Sequence, residues 1–238
     1  MMVPSPHMSG SIPTEEKPVP TNAARSNDAI PALRADMRVV GRSAFARGMV
    51  WGTSGNISGK LPDGSLLMSK AGTDLADLAD DDFVVALPGF DDVVPPEATS
   101  EIRIHRAAHA AGDDVRCVLH LSPTWVMLAA TTGIAVPITT TAEAHLMLAD
   151  LTRVPWACPG TPDLGHAVAM GLTNGTRALI LEGHGALTLG RTPREALLRM
   201  ETLEFVASLA ILARQSGLPL IAMQPAQRAE VSERYEGH

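Results

Sequence analysis

The sequence predicts a single α/β/α domain: a central, mainly antiparallel sheet flanked by helices. Three observations carry this expectation. Short apolar runs of strand length alternate with segments of helical periodicity, a pattern that packs in layers. The order is not strict βαβ, because runs at 57–61 and 65–69 flank Pro62-Asp63-Gly64, a turn signal that makes them an antiparallel hairpin. The 238 residues are 45% hydrophobic but only 3% aromatic, enough for one core built from Ala, Leu, Val, Ile and Met.

The elements follow in chain order. Residues 1–27 are rich in Pro, Ser, Thr and Asn without periodicity and are expected to form a flexible extension. The domain is expected over 28–217. Leu33, Met37, Val40 and Ala44 recur at helical spacing and predict an amphipathic helix over 29–48. A glycine-rich loop from Trp51 to Gly59 leads into the hairpin, and 83–87 reads as another strand. Thr99 or Ser100 is placed to cap a helix that reaches residue 111. Residues 116–120 form a strand, and Ser122-Pro123 opens the next helix, with proline tolerated in its first turn. Residues 142–150 read as helix, 154–157 as a short strand, 163–172 as helix and 177–181 as a buried strand. Thr192, Pro193 and Glu195 read as a capping box, opening a long helix to about residue 215 that stops before Gly217. Residues 218–238 are expected to form an irregular tail carrying the only tyrosine, Tyr235.

Composition excludes several functions. A net charge of −7 with no Lys/Arg cluster argues against nucleic-acid binding. No apolar run reaches the ~18–20 residues of a membrane span, and no secretory leader is visible. The two cysteines, Cys117 and Cys158, sit in apolar settings and read as reduced core residues. A cytoplasmic protein with no nucleic-acid or membrane partner is expected.

The chemistry-bearing candidates lie at element ends. His120 ends one strand-like run and His184 follows another, while Glu101 stands at a predicted helix start. Imidazole and carboxylate together suit Zn, Mn, Fe or Co. Spacing alone favours hydrogen-bonded strand ends over metal ligands, because the histidines form no local motif. Glu101 reads either as a residue suiting the helix dipole or as an acid/base or metal-bound carboxylate. The loop of Gly52, Thr53, Ser54, Gly55, Asn56, Ser58 and Gly59 reads as an anion-binding nest or a plain tight turn. His105 and His109, at i and i+4, lack the glutamate of a His-Glu-x-x-His pair and read as solvated or packing residues.

Taken together, these segments resemble the class II aldolase/adducin family, typified by fuculose-phosphate aldolase. Gly52-Thr53-Ser54-Gly55-Asn56-Ile57-Ser58 is similar to the family's Gly-Thr-x-Gly-Asn-Leu/Val-Ser loop, and Met68 to Thr73 to its Ile-Thr-Pro-Ser-Gly segment. Thr99-Ser100-Glu101 with His105 resembles Ser-Ser-Glu-x-x-x-His, Val118-Leu119-His120 the start of Val-Val-His-Thr-His, and Glu182-Gly183-His184-Gly185 the Asn-His-Gly segment. The motifs keep the family's order over residues 29–217.

The resemblance implies one α/β/α domain, usually a homotetramer with active sites at subunit boundaries, and one divalent metal ion, zinc first among the candidates. It makes His120 and His184 metal ligands and Glu101 the catalytic acid/base, and it matches Thr53, Asn56, Gly72, Thr99 and Ser100 to phosphate-binding positions. The implied activity is aldolase-type cleavage of a C–C bond in a phosphorylated sugar or small 2-keto-3-hydroxy compound through a metal-stabilised enediolate. Decarboxylation, epimerisation, dehydration and a non-catalytic adducin-like role stay open as alternatives. The chain also departs from the pattern. Ser122 stands at the position of the third ligand histidine, and Ala71 where a hydroxyl residue is usual. The tyrosine that protonates product in some members is replaced by Thr near Thr139 and Thr140, and Tyr235 would reach a site only if the tail folds back.

Overall fold

The computed structural model describes residues 22–87, 94–148, 150–172 and 175–235. The helices are α1 (Asn22–Ala46), α2 (Ile102–His109), α3 (Thr124–Thr132), α4 (Ala142–Met147), α5 (Pro162–Gly171), α6 (Pro193–Ser216) and α7 (Pro225–Tyr235). The strands are β1 (Asn56–Lys60), β2 (Leu66–Ser69), β3 (Phe83–Ala86), β4 (Cys117–Leu121), β5 (Thr152–Val154), β6 (Ala178–Leu181) and β7 (Gly185–Gly190). They form one seven-stranded sheet in the order β3-β2-β1-β4-β7-β6-β5. Every pairing is antiparallel except β5 with β6. The expected mainly antiparallel sheet between helical layers is therefore what the chain builds.

Side-chain alternation explains the layers. On β4, Cys117, Leu119 and Leu121 join Met37, Val40, Ala44, Leu197, Met200 and Leu203 of α1 and α6 in one core. Val118, between them, joins Ile104, Ala108, Leu164 and Val168 of α2 and α5 in a second core on the other face. Period-2 alternation thus commits His120 to the α2 face. Both faces of the central strands are covered, which is why β4, β6 and β7 are buried along their whole length.

Several expectations need correction. Helix α1 begins at Asn22, so residues 22–27 belong to it and not to the extension; residues 1–21 lie outside the described residues. The tail is not irregular throughout: α7 forms after Pro225, which suits a first helical position. Its faces were illegible because none of its residues is buried. It packs on α4, with His145 Nε2 3.1 Å from Ser232 Oγ. Strand β7, a short Ala-Leu-Thr-Leu run between glycines, was not anticipated. At α6, Thr192 Oγ1 accepts from the Glu195 N–H as expected, but the Glu195 carboxylate reaches Arg191 N, one residue before the cap. Cys158 is exposed, whereas Cys117 is buried and its thiol pushed up by that burial. No helix among the described residues is long and apolar enough to cross a membrane.

Candidate metal centre and anion cleft

Three side chains from separate elements meet at one end of the sheet. Glu101 precedes α2 as its N-cap residue, with Thr99 Oγ1 accepting from its backbone N–H at 3.3 Å, so the threonine orders the carboxylate's own residue and not the helix. His120 comes from β4, and His184 from the turn between β6 and β7, whose N–H bonds to Leu181 O at 3.1 Å. Glu101 Oε2 lies 3.1 Å from His120 Nε2, and Oε1 lies 2.8 Å from His184 Nε2. The imidazole rings are 4.8 Å apart, edge to face. Among the described residues, these three form the one group whose ligating atoms could hold a metal ion, all within 4.8 Å of one another.

Two glycines make the approach possible. Gly185 has φ +152°, and a Cβ on it would meet Leu121 O at 2.5 Å and Ser122 Oγ at 3.0 Å. Gly55 has φ +83°, and its Cβ would meet His120 O at 2.7 Å. Any side chain at either position would push β1 or β7 away from the strand that carries His120.

The proton positions follow from the partners. His120 Nδ1 is 2.9 Å from the Ala186 carbonyl, which only accepts, so Nδ1 carries a proton. Its Nε2 then faces an ionised carboxylate and needs either a second proton or a shared cation. Burial disfavours charge on His120, but the Glu101 carboxylate and the Ala186 carbonyl outweigh it and raise its pKa. Burial likewise pushes the Glu101 carboxyl up, but the charge and hydrogen bonds of His120 and then of His184 hold it well below the ordinary carboxylate range. His184 Nδ1 is buried without a hydrogen-bond partner, and the 2.8 Å approach of His184 Nε2 is the one polar contact of Glu101 Oε1. Two imidazoles and a carboxylate whose ligating atoms face one another in one pocket fit a divalent cation, since such an ion takes an imidazole–carboxylate set.

The cluster closes one end of a cleft of about 360 Å³. Thr53, Asn56, Gly72, Thr99 and Ser100, the positions matched to phosphate binding, all line it, as do Ser122 and Lys70. Lys70 supplies a cation there; a lysine in the Met68–Thr73 segment was the signal available for it. The Asn56 amide also meets Glu101 Oε2 at 3.0 Å and His105 Nε2. Ser122 donates its proton to the His184 carbonyl at 3.1 Å. Tyr235, at the end of α7, does not line the cleft. A larger cleft of about 990 Å³ lined by α2 and α5 holds Lys60, Arg103 and His166 but, among the described residues, no such ligand group.

Of the two readings for His105 and His109, solvated or packing, the second holds: both are buried, and both are bonded to Ser58 Oγ. Burial pulls their pKa values down to about 3 and about 4. On unfolding both return to about 6.5, so the unfolded chain binds protons that the folded one refuses. The stability they contribute is fully present above pH ~6.5 and is lost as pH falls, at up to about 1.4 kcal/mol per pH unit each. His120 has the opposite sign, since its raised value favours the fold below pH ~6.5 and loses that contribution as pH rises. Two depressed histidines outweigh one raised one. The chelator-treated protein is expected to unfold at lower urea at pH 5 than at pH 7.5, and an equal or higher midpoint at pH 5 would contradict this.

Comparisons with known proteins identify the chain's family. Residues 35–211 match the family described as Class II Aldolase and Adducin N-terminal domain. The chain belongs to that family. It is 28% identical over 185 residues to the 3-oxo-tetronate 4-phosphate decarboxylase of Escherichia coli strain K12, covering 76% of this chain and 87% of that protein. It is 31% identical over 172 residues to the 5-methylthioribulose-1-phosphate/5-deoxyribulose-1-phosphate aldolase of Rhodospirillum rubrum, covering 70% and 74%. Among solved structures it is similar to YgbL of Escherichia coli, with a TM-score of 0.75 and 25% identity, covering 85% of this chain and 99% of that one. These relatives are enzymes of the class II aldolase superfamily, aldolase and decarboxylase both among them, and this chain is an enzyme of that superfamily.

Proposed function

We propose that the protein is a divalent-metal-dependent lyase of aldolase type, cleaving a C–C bond in a phosphorylated sugar or small 2-keto-3-hydroxy compound. The observation that carries this reading is the ionised Glu101 carboxylate, set between two imidazoles at the end of a cleft lined by hydroxyls and Lys70. A divalent ion held by Glu101, His120 and His184, with zinc first and Mn, Fe or Co as alternatives, would supply Lewis acidity to the substrate's carbonyl and neighbouring hydroxyl oxygens.

The chain's own residues do the rest. Lys70, the Thr53, Thr99 and Ser100 hydroxyls and the Gly72 backbone bind the phosphate. Asn56 keeps one N–H of Nδ2 for a ligand and otherwise serves Glu101. Glu101 Oε1 takes the proton from the hydroxyl next to the breaking bond and returns it to the carbon left behind. That cycle begins and ends with an ionised carboxylate. Decarboxylation of a 3-oxo acid instead consumes one proton, so its acid must start protonated. Decarboxylation is the second reading, favoured by similarity to the E. coli decarboxylase over 87% of that protein.

We also infer a cytoplasmic homotetramer acting on a small-molecule substrate. Exposed Phe45, Trp51, Trp156 and Phe205, each more than half accessible, support assembly between copies. The test is an assay of zinc- or manganese-loaded protein on sugar phosphates, 2-keto-3-hydroxy acids and phosphorylated 3-oxo acids. Aldehyde release without CO2 supports the first reading, CO2 release selects the second, and neither from any substrate overturns both.

A further inference from the structure

A buried line of polar side chains runs from Glu101 into the layer between the sheet and α2. Asn56 Nδ2 donates to Glu101 Oε2 at 3.0 Å, and Asn56 Oδ1 meets His105 Nε2. His105 Nδ1 lies 2.7 Å from Ser58 Oγ, and Ser58 Oγ lies 2.8 Å from His109 Nε2. Ser58 and His105 are fully buried, and Asn56 and His109 nearly so. The sequence places them together simply: Asn56 and Ser58 share one face of β1 at period 2, while His105 and His109 stand one turn apart on α2.

The proton positions follow from Glu101 as far as His105. The ionised Glu101 only accepts, so Asn56 must turn its NH2 towards it. Asn56 Oδ1 then only accepts, so His105 carries its proton on Nε2. His105 Nδ1 accepts from the Ser58 hydroxyl; His109 carries its proton on Nδ1, 3.2 Å from the Val115 carbonyl, so its Nε2 beside Ser58 Oγ can only accept. Without His105, the Asn56 amide would be free to turn over and present Oδ1 to the carboxylate. The line orients and does not conduct, because an amide does not pass a proton from one of its ends to the other.

We propose that His105, held by Ser58, is a positioning residue that locks the Asn56 amide onto Glu101 Oε2 and so holds the carboxylate in the orientation from which it moves the proton. This rests on the reading of Glu101 as the acid/base. It also explains why a helix face packed against the sheet carries two histidines where apolar residues would pack without polar partners.

The test compares His105→Leu, His105→Gln and Ser58→Ala in the metal-loaded protein. Losing an orienting partner of this kind costs about 10–100-fold in activity. His105→Leu is expected to lower kcat by that factor with KM little changed. His105→Gln, whose amide offers Asn56 an N–H in place of Nε2–H, is expected to restore most of it, and Ser58→Ala to fall between. The Asn56 side-chain NH2 signal, followed by 15N NMR, is expected to shift in His105→Leu and to return towards wild type in His105→Gln. Wild-type kcat with an unmoved Asn56 signal in His105→Leu would overturn the proposal. Equal loss in the Leu and Gln variants, in step with lost folded protein, would overturn it too. If wild-type protein turned over no substrate, the proposed function would fall, while the Asn56 signal would still judge the positioning by His105.

Discussion

Replacing Glu101 with glutamine is expected to lower turnover by about 10²–10⁴-fold while the protein stays folded. Glutamine keeps the length and shape of the side chain, and its amide oxygen can still accept from Asn56 Nδ2, which donates to Oε2 at 3.0 Å in the native protein. It cannot take a proton at Oε1. The fold should tolerate the change because glutamine fills the same space and His120, 3.1 Å from the carboxylate, can shed charge once it is gone. Steady-state kinetics alongside a thermal melt check both halves. Unchanged turnover in a folded variant would refute the acid/base role.

Much of this site was legible in the sequence because its parts lie at element ends that turn and cap signals mark. The hairpin around Pro62-Asp63-Gly64 pairs Lys60 with Leu66 as the turn requires. His120 occupies β4 where the apolar run placed it, and Asn56 pairs directly with it in register across β1 and β4. The illegible parts depend on contacts between elements. Whether two histidines at i and i+4 face solvent, apolar core or a buried serine depends on which strand α2 covers, and nothing local to α2 says so. The same holds for α7, whose position comes from α4 and the backbone bond from Met223 N to Thr139 O at 2.8 Å. The short run of β7 became a strand because β4 and β6 lie on both sides of it.

Introducing histidine at position 122 is expected to tighten divalent-metal binding. Ser122 lines the same cleft as Glu101, His120 and His184, and its hydroxyl is spent on the His184 carbonyl at 3.1 Å. A neutral hydroxyl is a weak ligand beside imidazole. The native site therefore rests on two imidazoles and a carboxylate, with a carboxylate less free to move protons whenever it serves the ion. Even partners outside the ligand set are worth about 10–100-fold in metal affinity, so a third imidazole should gain at least that range. The cost is the lost hydroxyl–carbonyl bond, about 1 kcal/mol. Competition against a chromophoric chelator measures the gain. Ser122→His binding zinc no more tightly than wild type would remove position 122 from the metal site.

The claim beneath all of this is that Glu101, His120 and His184 form a working metal site despite Ser122. Elemental analysis of the purified protein after incubation with Zn, Mn, Fe and Co salts and desalting tests it most directly. One divalent ion per chain, lost in His184→Ala, is the predicted result. Wild-type protein that retains none of these ions would contradict it.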